Sequence, residues 1–349
     1  MNSKYSDTTL VLLVNLGTPS KPETKEVRKY LAEFLSDKDV IRMPRIFWLP
    51  ILHLIILRFR PKKSAELYKK VWTKWGSPLL YNTYLQAGLL RKRYADKSNG
   101  NILIDVAMRY GAPSLENKIT EYYQKGLSNI LVLPMFPQYS TTTTRSIASK
   151  IHEISRKHNN FDNNLTINII KDFHANEKYI SALADRIINH RKKFSSSKKL
   201  LLSFHGIPQS YIARDEPYQD QCFKTAELIV EKLQLKPESY DIVFQSRFGK
   251  AEWIKPYLAE TLEKLGKSNE DDIQVFCPGF VSTEATPVGE HSLPGIITAE
   301  KAASLIYNSL SSKNFEVFIP NNFLIWGLYL LKFLPDRLAH ILIRWKTGY

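Results

Sequence analysis

The chain's most constraining feature is an internal duplication, because three short patterns occur twice in the same order. The first is an apolar run ending in a Gly-x-Pro turn, at Leu12-Leu13-Val14-Asn15-Leu16-Gly17-Thr18-Pro19 and again at Leu201-Leu202-Ser203-Phe204-His205-Gly206-Ile207-Pro208. The second is Arg-aromatic-Gly, at Arg109-Tyr110-Gly111 and Arg247-Phe248-Gly249. The third is Pro-x-Phe, at Pro134-Met135-Phe136 and Pro278-Gly279-Phe280. Helical patterns such as Leu115–Lys125 and Gln221–Leu233 lie between them. One match would be ordinary, since Gly and Pro commonly end strands. Three in one order imply a repeated unit of strand, turn and helix. Such units build parallel sheets covered by helices on both faces, with ligands beyond the carboxyl ends of the strands. The expected fold class is therefore α/β, with two similar Rossmann-like domains whose parallel sheets face a cleft.

A chain of 349 residues, 44% hydrophobic and 24% charged, has room for two such cores. Its two cysteines, Cys222 and Cys277, show no CxxC spacing, so a disulfide framework, a zinc site and an iron–sulfur cluster are not expected. A polar Met1–Leu10 is not a signal peptide, and the cysteine usage points to a reducing cytosol. The formal charge of +15 lies almost wholly before the tail, since Thr283–Tyr349 holds six Lys/Arg against five Asp/Glu. That balance suits an anionic membrane surface, an anionic substrate or nucleic acid. With no RNP motif, zinc finger or basic heptad helix, nucleic acid has only the charge to support it and is not expected as a partner.

The first half is longer than the second between its first two patterns, and the surplus covers about 36–78. Ile46–Leu57 reads IFWLPILHLIIL, with Arg42, Arg45, Arg58, Arg60, Lys62 and Lys63 around it. Twelve residues interrupted by Pro50 are too few to span a bilayer. Apolar residues flanked by cations suit a lip that touches lipid or receives a flat, greasy, anionic ligand, while one helical face covers the core. His53, alone in this run, is expected to be a core histidine.

A longer set of motifs carries a family resemblance: LLVNLGTP at Leu12–Pro19, FLSDKDVI at Phe34–Ile41, MRYGAPS at Met108–Ser114, LPMFPQYSTTTTRS at Leu133–Ser146, LLSFHGIP at Leu201–Pro208, YQDQC at Tyr218–Cys222, VFQSRFGKAEWIKPY at Val243–Tyr257 and VFCPGFVS at Val275–Ser282. In this order, over about residues 10–282, they resemble the signatures of ferrochelatases, which insert ferrous iron into protoporphyrin IX in the terminal step of haem biosynthesis. The resemblance implies a chelatase fold divided into an N-terminal domain, 1–170, carrying the lip at 36–78, a second domain, 171–282, and a divergent, atypical helical tail, 283–349. It also implies Fe²⁺ as a substrate rather than a tightly bound cofactor.

The chemistry calls for a ligand that delivers the metal, bases that take two pyrrole protons, and a pocket that holds the macrocycle bent. A neutral imidazole can ligate Fe²⁺ and accept a proton near pH 7. His205 ends a strand beside a glycine and matches the family's metal-site histidine. The substrate's propionates call for cations, and its face calls for aromatic rings. The resemblance places Arg60, Tyr68 and Ser77 at substrate-contacting positions. Arg109 and Tyr110 look like pocket residues, and Tyr139 with Ser140 is expected to line the same cleft.

Beyond Ser282 the motifs depart from the family. The position of the family's active-site glutamate falls at Thr286, whose hydroxyl cannot serve as a carboxylate base. Glu284 is the nearest carboxylate and the candidate substitute. The segment Thr298–Ala303 and the apolar Phe315–Pro320 and Phe323–Arg344 resemble the carboxyl end of short-chain dehydrogenases, without that family's nucleotide loop or Tyr-x-x-x-Lys pair. Phe323–Trp345 reads as two short amphipathic helices lying on a membrane or on the protein surface. Three functions follow as expectations. The first is a ferrochelatase in the cytoplasm, peripheral at the inner face of the membrane; the rivals are a chelatase-like chain that binds porphyrin or haem without turnover, and a membrane-surface scaffold.

Overall fold

The computed structural model describes residues 8–95, 101–157, 165–194, 199–212, 216–247, 249, 251–268 and 272–278. The tail after 278, with Glu284 and Thr286, lies outside the described residues. Two parallel sheets organise the chain. The N-terminal sheet has the order β2-β1-β3-β4, from β1 (Thr9–Thr18), β2 (Ile102–Gly111), β3 (Asn129–Pro134) and β4 (Thr166–Ile169). The C-terminal sheet has the order β6-β5-β7, from β5 (Lys199–His205), β6 (Tyr240–Gln245) and β7 (Ile273–Phe276). In each, the first strand is central and the next two flank it, so β1, β2 and β3 correspond to β5, β6 and β7. The correspondence extends past the strand ends: Met108 N donates to Pro113 O and Phe244 N to Pro256 O, both at 2.7 Å.

Strand β1 is buried on both faces, which is why its sequence is an unbroken apolar run rather than an alternating one. Val11 and Leu13 pack with Val106 and Met108 under α4 (Pro78–Ala95), through Ala87 and Leu90. Leu10, Leu12 and Val14 point the other way, onto α5 (Leu115–Gln124) and α6 (Ser146–Lys157), through Ile119, Ile147 and Ile154. In the C-terminal sheet Leu201 packs with Leu265 of α10 (Leu258–Lys267). Leu200, Leu202 and Phe204 face α7 (Glu177–Phe194) and α9 (Tyr218–Leu233).

The surplus segment forms a helix along Arg45–Val71, as α2 (Arg45–Ile51), a π-helical turn (Leu52–Ile56) and α3 (Leu57–Val71). Trp48, Leu52, Ile56, Leu57 and Ala65 are buried in the same cluster as Leu202, Phe204 and Ile207 of the C-terminal half. The opposite face leaves Ile46, Phe47, Leu54, Phe59 and Leu67 exposed. His53 is exposed as well, correcting the expectation of a core histidine: helical spacing buries Leu52 and Ile56 and turns the residue between them outward. Two prolines sit inside this helix. Pro61 has no N–H for the carbonyl of Leu57, and Arg28 Nε donates to that oxygen at 3.0 Å instead. Trp48 Nε1 (2.6 Å to Leu35 O) and the Arg45 guanidinium, on Ser36 O, meet terminal carbonyls of α1 (Thr24–Ser36).

Asp105, buried in edge strand β2, ties that strand to its covering helices. It accepts from Lys118 Nζ at 2.7 Å, Tyr122 OH and Val106 N at 2.9 Å, and Arg91 at 3.2 Å. Burial works to raise its pKa, but Lys118, the Val106 N–H and Tyr122 outweigh it and hold the carboxyl below the usual range. A carboxyl lowered in the folded state contributes stability above its unfolded pKa near ~3.9 and loses it as pH falls through the folded value. Asp105→Asn is expected to cost about 3 kcal/mol at pH 7. In urea titrations the gap from the parent should shrink as pH drops below about 4; a constant gap would contradict this account.

Candidate active site

His205 is the last residue of β5, a strand buried through Phe204 and opening to solvent at His205. The backbone here is tightly held. A Cβ on Gly206 would come within 2.9 Å of Gln245 O and 3.0 Å of the Trp253 ring, so only glycine lets the chain turn directly after the histidine. Gly206 N donates to Gln245 O at 2.8 Å, and Tyr218 OH donates to the His205 carbonyl at 2.9 Å. The imidazole reaches solvent, yet the protein mass around it desolvates the charged form and holds it below the ordinary histidine range. A neutral ring at pH 7 is the form that ligates a divalent metal or takes a proton.

The other predicted site residues fall into two groups. Arg60 and Tyr68 lie on α3, facing each other electrostatically: burial lowers the Arg60 guanidinium, and Tyr68 opposes that shift. The Tyr68 ring stands edge-on to Tyr30 at 6.4 Å and to Trp72 at 6.3 Å. Ser77 is enclosed at the start of α4, where its carbonyl accepts from Tyr81 N at 2.9 Å. Tyr139 lies at the seam between the halves: its N–H donates to Gln221 Oε1 at 2.6 Å and Lys171 Nζ sits 5.6 Å from its ring centroid. Burial raises its phenol. Its neighbour Ser140 is buried and donates to Glu216 Oε2 at 3.3 Å.

Arg109 and Tyr110, expected on the pocket wall, are turned inward instead. Tyr110 is 0% exposed, and its hydroxyl donates to Asp37 Oδ2 at 2.7 Å. Arg109 reaches the same oxygen at 2.5 Å through an Nη and holds Ser146 through Nε, at 2.8 Å to Oγ and 3.0 Å to the carbonyl. Ser146 Oγ donates to Asp37 Oδ2 at 2.6 Å. Burial and the adjacent carboxylate raise the Tyr110 phenol so far that it remains a donor at any working pH. The motif lies at a strand end as expected, but its side chains are committed to a carboxylate more than seventy residues away.

Asp37 begins a strap of chain, Asp37–Arg42, that links both halves. Asp39 pairs with Arg145 at 3.5 Å, Val40 O accepts from Tyr211 OH at 2.8 Å, and Arg42 approaches Glu216 at 3.5 Å with its guanidinium 3.8 Å from the Tyr211 ring centroid. The available signal was the pair of acids set within FLSDKDVI. An open surface depression of about 540 Å³ beside α9, lined by His174, Asp220, Gln221, Phe223, Lys224 and Glu227, includes none of the predicted site residues.

Replacing Asp37 by Ala would leave Arg109, Tyr110 and Ser146 without their shared acceptor in a buried setting. The expected cost is about 3–5 kcal/mol, read as a large drop in the thermal midpoint; a change under about 1 kcal/mol would remove Asp37 from this role.

Residues 8–286 match the family model Ferrochelatase. The chain is 42% identical to the Ferrochelatase of Chromobacterium violaceum over 83% of its own length and 79% of the relative's. It is 44% identical to that of Aromatoleum aromaticum and 43% to that of Idiomarina loihiensis, each over 78% of this chain and 74% of the relative. Among solved structures, SirB from Bacillus subtilis with Fe³⁺ aligns over 88% of this chain and 100% of its own, at 14% identity and a TM-score of 0.49.

Proposed function

Because the chain belongs to the ferrochelatase family, we propose that it inserts Fe²⁺ into protoporphyrin IX to form protohaem, with His205 as the residue that receives the metal and takes a pyrrole proton. The observation that carries this reading is the His205 ring itself, open at the carboxyl edge of the C-terminal sheet and biased toward its neutral form. Iron and porphyrin are then the substrates, and no resident cofactor is needed. Residues 1–170 and 171–282 are the two domains flanking the site, with Arg60 and Tyr68 on the lip meeting the macrocycle, the first its propionates and the second its face. Tyr139 lines the seam between them. Arg109 and Tyr110 support the pocket from behind through Asp37 rather than touching substrate.

In this mechanism the imidazole binds the ion through a ring nitrogen lone pair. As the metal enters the ring, two pyrrole protons leave, one to His205 and one to a carboxylate. With threonine at position 286, Glu284 is the residue assigned to that second proton.

The test is anaerobic incubation of the full chain with protoporphyrin IX and ferrous iron, following the porphyrin absorption bands. Turnover is expected, with a loss of at least about 100-fold in His205→Ala. Glu284→Gln should also lose about 10-fold or more if that carboxylate has taken the role; full activity in that variant rejects it. Porphyrin binding without turnover in the parent would favour a binding protein derived from the enzyme, and neither would favour a surface scaffold.

The lip supports a second element of the reading, peripheral contact with the cytoplasmic face of a membrane. No described helix is long and apolar enough to cross one. Exposed Phe47 and Leu54, the latter 69% exposed, stand on the same helix as Arg58, Lys62 and Lys63. Such a surface gains from both apolar insertion and anionic headgroups. The double substitution Phe47→Glu/Leu54→Glu is expected to weaken co-sedimentation with phosphatidylglycerol vesicles about tenfold or more. Unchanged binding would assign the exposed residues to something other than lipid.

A further inference from the structure

The strap Asp37–Arg42 joins the two halves of the molecule. Its odd-numbered acids face the N-terminal half: Asp37 holds Arg109, Tyr110 and Ser146, and Asp39 holds Arg145. Its Val40 carbonyl and Arg42 side chain face the C-terminal half, meeting Tyr211 and Glu216. Directly after the strap the chain enters the lip helix that carries Arg60 and Tyr68.

Glu216 is the opposing anchor, and its side chain is fully enclosed. Oε2 accepts from Thr141 N at 2.9 Å, from Thr141 Oγ1, and from Ser140 Oγ at 3.3 Å, and it faces Arg42. Each of these partners belongs to the N-terminal half. The guanidinium of Arg42 also donates to Thr141 Oγ1, closing a three-way contact between strap, seam and C-terminal half. The second oxygen, Oε1, is buried with no hydrogen-bond partner among the described residues. Burial raises the carboxyl, against the opposing pull of Thr141 and Arg42. A desolvated ion pair of this kind adds little stability compared with an apolar contact of the same size, whereas its directional bonds define a register.

We propose that Glu216 and Arg42 form a positioning pair that holds the lip in register with His205, so that a porphyrin bound by lip residues lies where the imidazole can deliver the metal. The proposal rests on the ferrochelatase reading above. Neither residue touches substrate in this scheme. The lip keeps its binding groups when the pair is broken, and what suffers is the placement of the bound ring over His205. Misplacement of about 1 Å is enough to slow a reaction strongly while leaving binding intact.

The test compares the full chain with Glu216→Gln, Arg42→Gln and the double variant, measuring steady-state kinetics and amide hydrogen exchange. Each single variant is expected to lose about tenfold in kcat with the porphyrin KM within about twofold, and the double is expected to lose no more than the worse single. Exchange should quicken along Arg45–Val71 and stay unchanged in β1 and β5. A KM rise with kcat intact, multiplicative losses in the double, or parental exchange along the lip would each overturn the proposal. Should Glu216→Gln fail to fold, Arg42→Lys against Arg42→Gln decides: recovery of most of kcat by the lysine supports the ion pair, and none overturns it. If the parent chain makes no metalloporphyrin, the functional reading falls, and the exchange comparison alone judges the clamp.

Discussion

One oxygen, Asp37 Oδ2, accepts hydrogen bonds from an arginine, a tyrosine and a serine that come from different turns of the chain. Arg109 and Tyr110 end β2, Ser146 begins α6, and Asp37 follows α1, so a single buried carboxylate gathers the carboxyl edge of the N-terminal sheet. An ionised group in this setting is costly unless its lone pairs are filled, and here three donors fill them. The strap that starts at Asp37 then runs to the C-terminal half, and the lip helix follows from it. The Asp37 interaction thus fixes where the strap begins, and the lip helix that follows is held in turn by its own buried face.

The two halves repeat one topology and put it to different uses. Gly17, in the last residues of β1, and Gly206, just after β5, hold matching places in the repeated motif, and each brings the chain against its neighbouring strand end: a Cβ on Gly17 would lie 1.8 Å from Tyr110 O, and one on Gly206 would lie 2.9 Å from Gln245 O. The residue before each glycine differs in kind, Leu16 in one half and His205 in the other. The N-terminal edge is closed by the Asp37 cluster. At the C-terminal edge Arg247 is an exposed residue stacked 4.4 Å from the Tyr257 ring centroid and paired with Glu260, leaving the histidine open. Repetition of one topology, with one edge closed and the other open, leaves the strand-end histidine of the C-terminal sheet exposed.

Much of this was legible in residue order. The repeated strand, turn and helix follows from local properties: apolar runs, glycines at close approaches and prolines after strand ends. The place of His205 at a strand end was readable on the same grounds, because the glycine after it marks the turn, whereas its metal role is what the family resemblance implies. The amphipathic lip was readable too, since a helix with a buried stripe must present another face elsewhere. The exposure of His53 was not readable, because an apolar run in one dimension does not show which side of the helix each residue occupies. Arg109 and Tyr110 lie at the strand end their motif marks, but their partners Asp37 and Ser146 are too remote in sequence to be read from it. Glu216 left no visible mark in a polar stretch, as its partners Ser140 and Thr141 lie about seventy-five positions earlier.

The amino-acid sequence alone determined the two parallel-sheet units, the strand end that carries the histidine, and the family to which the chain belongs, because these depend on backbone propensities and on motifs a few residues long. Tertiary structure decided which charged groups stand open at the strand ends and which face one another. A buried carboxylate chooses its donors by distance and desolvation, and both arise only when segments remote in sequence are brought together. Asp37 and Glu216 could therefore be read as structural centres only once the strap, the seam and the strand ends had been placed in space.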